Sequence, residues 1–103
     1  MNSDNIIPLQ IIDPSEVNAD GTLSYNELIN SFLELANQHW QTIEIDGVSS
    51  ALREAAARFN AFEADYKSGD LAADRENAMT WFTEEYSRAL GECLDQCIEK
   101  QSS

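Results

Sequence analysis

The chain has 103 residues, 43% of them hydrophobic, which matches the size and composition of one ordinary domain with a modest core. Its 19 Asp and Glu residues outnumber its 6 Lys and Arg residues, so the net charge is −13. Nucleic acids and anionic membranes both select for Lys and Arg, so this charge argues against either partner and favours a basic protein surface.

Membrane and export signals are not expected from this sequence. The mostly apolar segment at residues 6–12 is interrupted by Pro8 and falls far short of the roughly 20 residues of a membrane helix. Residues 1–5 carry no Lys or Arg, whereas a signal peptide opens with positive charge. We therefore expect a cytoplasmic protein in which Cys93 and Cys97 are reduced.

Residues 1–23 are predicted to form an extended N-terminal arm followed by an acidic loop. They contain both prolines of the chain, Pro8 and Pro14, and they show no helical period. Because the arm is apolar between residues 6 and 12, we expect it to dock on another surface, which the sequence does not identify.

The first helix is predicted from about Tyr25 to about Gln41. It opens with a capping box, in which the Ser24 hydroxyl and the Glu27 carboxylate satisfy backbone amides at the start of the helix. Its apolar residues recur at the three- and four-residue spacing of one helix face: Leu28, Ile29, Phe32, Leu35, Ala36, Trp40 and Ile43.

Two further amphipathic helices follow. The second begins near Asp46, with Asp46 or Ser49 as its cap, and ends before Gly69. The third and longest runs from about Arg75 to about Lys100.

Three helices that each have one apolar face should pack together. We therefore predict an all-α fold, an antiparallel three-helix bundle over residues 24–103 that follows the arm in a single domain. The expected core is Phe32, Trp40, Phe59, Phe62, Phe82 and Tyr86. Helix three is longer than its partners, and a dimer would cover the excess.

Three stretches resemble a small bacterial family, domain of unknown function 3144. They are Phe32–Asn37, Ala55–Phe62, and Asn77–Tyr86 with Leu90 and Leu94 beyond it. The resemblance covers about three quarters of the chain. It implies an all-helical, acidic bacterial protein and no particular activity.

The segment from Glu16 to Glu27 resembles the calcium-binding loop of an EF-hand. Aligned on Gly21 at the sixth place, the ligand positions are Glu16, Asn18, Asp20, Thr22, Ser24 and Glu27. Two features disagree, because Glu16 stands where the shorter Asp is expected and Pro14 leaves little room for an entering helix. A turn at Asp20 and Gly21, followed by the cap of helix one, explains the same residues without calcium.

Catalytic chemistry is not expected. His39 is the only histidine, and no phosphate-binding loop or nucleophile elbow is present. Cys93, Cys97 and His39 could supply three zinc ligands, but small apolar residues commonly fill such helix positions, so we predict buried thiols.

Function is predicted from the surface rather than from a catalytic motif. Trp81 falls beside the stripe of helix three, next to Phe82, where an exposed tryptophan would anchor a partner or a second copy. Alternatively, Trp81 is an ordinary boundary tryptophan with its indole nitrogen in water.

We predict a non-enzymatic protein-interaction module without a cofactor, which binds a protein partner or itself. The alternative is a calcium-binding protein that uses residues 16–27.

Overall fold

The computed structural model describes residues 23–102, which form three α-helices and no strand. In chain order they are α1 (Tyr25–Trp40), α2 (Ile45–Lys67) and α3 (Leu71–Ser102). The prediction of an all-α, three-helix protein is confirmed. The N-terminal arm and four predicted calcium ligands, Glu16, Asn18, Asp20 and Thr22, lie outside the described residues.

The start of α1 is set by Ser24, as the sequence predicts. Ser24 has an extended backbone, with φ −69° and ψ 168°, and its hydroxyl accepts a hydrogen bond from the Glu27 amide at 3.2 Å. A short polar side chain in this position satisfies an amide that has no partner inside the helix. The helix ends where the Gln41 amide turns back to the Gln38 carbonyl, at 3.3 Å.

The second helix begins at Ile45, so Asp46 lies inside its first turn instead of capping it. The amides of Gly47 and Val48 donate to the Glu44 carbonyl at 3.0 and 3.2 Å. A β-carbon on Gly47 would stand 3.2 Å from Cγ2 of Ile43, so glycine allows the tight approach of the preceding turn.

The third helix begins at Leu71, four residues before the predicted start. Asp70 explains the difference, because its side chain accepts from the Ala73 amide at 3.3 Å and its carbonyl accepts from the Asp74 amide at 3.0 Å. The polar stretch that reads as a loop in the sequence is therefore a capped first turn, and acidic side chains are favourable there.

The chain divides into two compact units, Met1–Ala55 and Ala56–Ser103. The described part of the first contains α1 and the start of α2, and its buried residues are Ser24, Asn30 and Ala36. The second contains the rest of α2 together with α3. Among residues 56–102 no side chain is buried, although several are half-buried.

The predicted core is therefore wrong for the single chain. Phe32, Phe59, Phe62 and Tyr86 are exposed, and Trp40 and Phe82 are only half-buried. The physical reason is that periodicity shows which side chains share a helix face but not whether another element covers that face.

Within residues 23–102, no helix combines the length and the apolar character that a membrane span requires.

Candidate interaction surface

The second unit contains an open groove of about 370 Å³ between the end of α2 and the start of α3. The short turn at residues 68–70 brings these helix ends together, and the small side chains of Ala64 and Ala78 leave space between them. The groove is lined by Glu63, Ala64, Lys67, Ser68, Leu71, Asp74, Asn77, Ala78, Trp81 and Phe82.

The charged side chains of the groove are engaged with neighbours. Lys67 Nζ lies 2.8 Å from Glu63 Oε2, one helical turn away on α2. Across the turn, Ser68 Oγ donates to Asp74 Oδ2 at 2.5 Å. The first contact pairs two opposite charges on α2, and the second joins the end of α2 to the first turn of α3.

Trp81, the predicted interaction residue, lies at this groove and is 55% exposed. Its ring meets that of Phe82 edge to face, with centroids 5.0 Å apart and planes at 84°. That geometry is favourable for aromatic pairs, so Phe82 fixes the orientation of the indole and leaves more than half of Trp81 open to a partner.

A second apolar feature lies on α2 and is called here the α2 aromatic row: Phe59, Phe62 and Tyr66. Ring centroids are 6.2 Å apart for Phe59 and Phe62 and 6.4 Å apart for Phe62 and Tyr66. The three residues are 70%, 57% and 83% exposed, respectively. Spacings of three and four residues place them on one helix face. The sequence predicts that Phe59 and Phe62 belong to the core, whereas the structure leaves both exposed.

A third feature, the α3 stripe, occupies the C-terminal half of α3. It consists of Tyr86, Leu90, Cys93, Leu94, Cys97 and Ile98, all of them exposed. The prediction of buried thiols at Cys93 and Cys97 is therefore wrong, because no described element covers this face.

Arg88 carries the main ionic contacts of this half of α3. Its guanidinium reaches Glu85 at 3.2 Å and Glu92 at 3.3 Å. Hydrogen bonds to Glu85 and Glu92 raise the pKa of Arg88. Pairs at three- and four-residue spacing on an exposed helix face favour the helix slightly.

Two of the predicted calcium ligands, Ser24 and Glu27, are in the described part of the chain. The structure places them together at the start of α1, where Ser24 Oγ accepts from the Glu27 amide. Glu27 Oε1 is buried and has no hydrogen-bond partner among the described residues. Within residues 23–102, no three His, Cys, Asp or Glu side chains converge on a point where they could hold a metal ion.

These observations define a class: a small all-α protein with exposed apolar surfaces on its second unit. The chain belongs to the family described as "Protein of unknown function (DUF3144)", whose sequence profile matches residues 25–98. The resemblance seen in the sequence is thereby confirmed. Comparisons with curated proteins and with solved structures found no match.

Proposed function

We propose that this protein is a non-enzymatic protein-interaction module. The observation that carries the proposal is the exposure of the α2 aromatic row, whose three rings stand next to one another on one face. A large aromatic side chain removes about 150–250 Å² from water when it is buried, so three adjacent exposed rings favour a partner that covers them. Trp81 at the groove adds a fourth anchor of the kind that contributes most to binding at interfaces.

The partner is a protein or a second copy of the chain. A net charge of −13 attracts basic protein surfaces and repels nucleic acids and anionic membranes. We also propose a cytoplasmic location, which is supported by two free, exposed thiols of the kind that persist in a reducing compartment.

Site-specific photo-cross-linking tests this function. A photoreactive phenylalanine analogue would replace Phe59 or Tyr66 in cells, and Glu76, an exposed charged residue of α3, would be the control position. We expect a discrete protein adduct from both row positions and none from position 76. Equal labelling at all three positions, or no protein adduct from the row, would contradict the proposal.

The second candidate is a calcium site at residues 16–27, with Ser24 and Glu27 as its described ligands. The observation that favours it is the buried Oε1 atom of Glu27, which has no hydrogen-bond partner in the described part of the chain. A buried carboxylate oxygen is costly unless it is paired, and Glu27 stands at the twelfth place, where an EF-hand loop supplies a carboxylate to the ion.

A calcium titration followed by amide-resolved NMR, with magnesium as the control ion, tests this candidate. Saturable shifts centred on Gly21 and Glu27 are expected. Asp20→Ala and Glu27→Ala should abolish them, while Asp95→Ala, far along α3, should not. An unchanged spectrum at millimolar calcium would eliminate the site and leave the turn and helix cap as the explanation.

A further inference from the structure

We propose that the α3 stripe is covered by the same stripe of a second copy, in an antiparallel symmetric dimer. The proposal rests on the proposed interaction function and names the partner of one of its surfaces. The stripe consists of Tyr86, Leu90, Cys93, Leu94, Cys97 and Ile98, on a helix of 32 residues that is about 48 Å long. None of the residues of α3 is buried in the single chain.

The spacing of the stripe suits another helix. Tyr86, Leu90, Cys93 and Cys97 follow one another at intervals of four, three and four residues, the alternation found along the seam of two packed helices. The two cysteines are small, so they allow the backbones of paired helices to approach closely. Leu94 and Ile98 widen the seam on one side.

The apolar area available is sufficient for a weak dimer. The four large side chains of the stripe are each between 43% and 60% exposed. They offer on the order of 400 Å² per copy, judged from the size of such side chains. The two cysteines and the flanking stems bring this near about 600 Å² per partner, the lower end for specific interfaces. An interface of this size is at the small end of specific association, and its affinity depends on packing as well as on area.

The low net charge of this half of α3 allows a second copy to pair with it. Residues 86–102 contain two bases, Arg88 and Lys100, against three acids, a net charge of −1. The other residues contain the remaining four bases and sixteen acids, so two copies that pair along this half of α3 keep most of the acidic charge of the chain outside the interface. An antiparallel pair keeps the acidic start of one α3, where Asp70 is the cap and Asp74 lies in the first turn, away from that of the other.

Sedimentation of the full chain across a concentration series tests the dimer. The wild type should shift from monomer to dimer, and Leu90→Glu should raise the dissociation constant by at least roughly 100-fold, because pairing would bury two unpaired charges. Arg88→Gln is the matched control, since it makes the same change in net charge on the opposite face of α3, and it should still dimerise. Circular dichroism verifies that Leu90→Glu stays helical; if it does not, Leu94→Lys replaces it.

Two outcomes would overturn the inference. One is a wild type that stays monomeric at hundreds of micromolar; that result leaves the interaction function standing if Phe59 and Tyr66 still give cross-links. The other is an equal weakening of dimerisation by Leu90→Glu and Arg88→Gln.

The relative direction of the two paired helices is tested with Met79→Cys in a chain that also carries Cys93→Ser and Cys97→Ser. A 79-to-79 disulfide within the dimer would contradict the antiparallel arrangement, and its absence in a confirmed dimer supports it.

Discussion

Ser68 and Asp74 join the two helices of the second unit directly: the Ser68 hydroxyl, at the end of α2, donates to the Asp74 carboxylate on α3 at 2.5 Å. The same hydroxyl accepts from the Asp70 amide at 3.1 Å. One side chain thus bridges the turn and orients the cap of α3, and Ser68 and Trp81 both line the groove.

Ser68→Ala should lower the free energy of unfolding by roughly 0.5–1 kcal/mol, because it removes one charge-assisted hydrogen bond and one acceptor from a solvent-exposed turn. Chemical denaturation measures the change. Ser50→Ala, on the exposed surface of α2, is the control and should be neutral or slightly stabilising because alanine favours helix. Equal effects of the two variants would show that the bridge contributes nothing.

Ser24→Ala should cost about 1 kcal/mol, since it removes the acceptor of the Glu27 amide at the start of α1. Hydrogen exchange at Glu27 and Leu28 should accelerate before exchange in the middle of α1. Ser24→Asp should restore protection, because aspartate caps as well as serine and its charge favours the helix start. Failure of aspartate to rescue would place the effect elsewhere than in the cap.

Gly91→Ala should stabilise the protein by roughly 0.5–1 kcal/mol, because an added β-carbon there meets no atom within 4 Å and glycine weakens a helix interior. Gly47→Ala should gain less, since its β-carbon would press on Cγ2 of Ile43 at 3.2 Å. Thermal unfolding of both variants checks the order. A larger gain at position 47 would contradict the crowding seen there.

Tyr66→Ser should change the free energy of unfolding by no more than about 0.5 kcal/mol while it weakens partner binding, because the side chain is almost fully exposed in the single chain. Ala36→Leu is the contrasting variant: it overpacks a buried position and should cost about 1–3 kcal/mol. A large stability loss from Tyr66→Ser would mean that the α2 aromatic row is covered within the chain.

Cys93 and Cys97 should react rapidly with a thiol reagent in dilute protein, because both are exposed. If the α3 stripe is covered by a second copy, reaction should slow as the concentration rises through the dimer range, and Leu90→Glu should remove this protection. A reaction rate that does not depend on protein concentration would argue against the dimer.

The number and type of helices could be predicted from the sequence because these features are local. Apolar residues at three- and four-residue spacing define α1, and Ser24 with Glu27 marks its first residue by a contact only three positions long. The sequence pattern puts the start of α3 too late, at Arg75, because Asp70 caps the helix. The Ser68 hydroxyl supports this cap by a bridge across the turn to Asp74, which is not a capping-box pattern.

Composition and periodicity are properties of the linear chain, so they were enough to predict the fold class, the family, the acidic charge and the face that each helix presents. Which of these faces are covered became clear from the packing of the helices. It placed Trp81 at a groove with α2, and it left Phe59, Tyr86 and Cys93 in solvent. Burial depends on contacts between residues distant in sequence, and a helical stripe looks the same whether its partner is the next helix or another molecule.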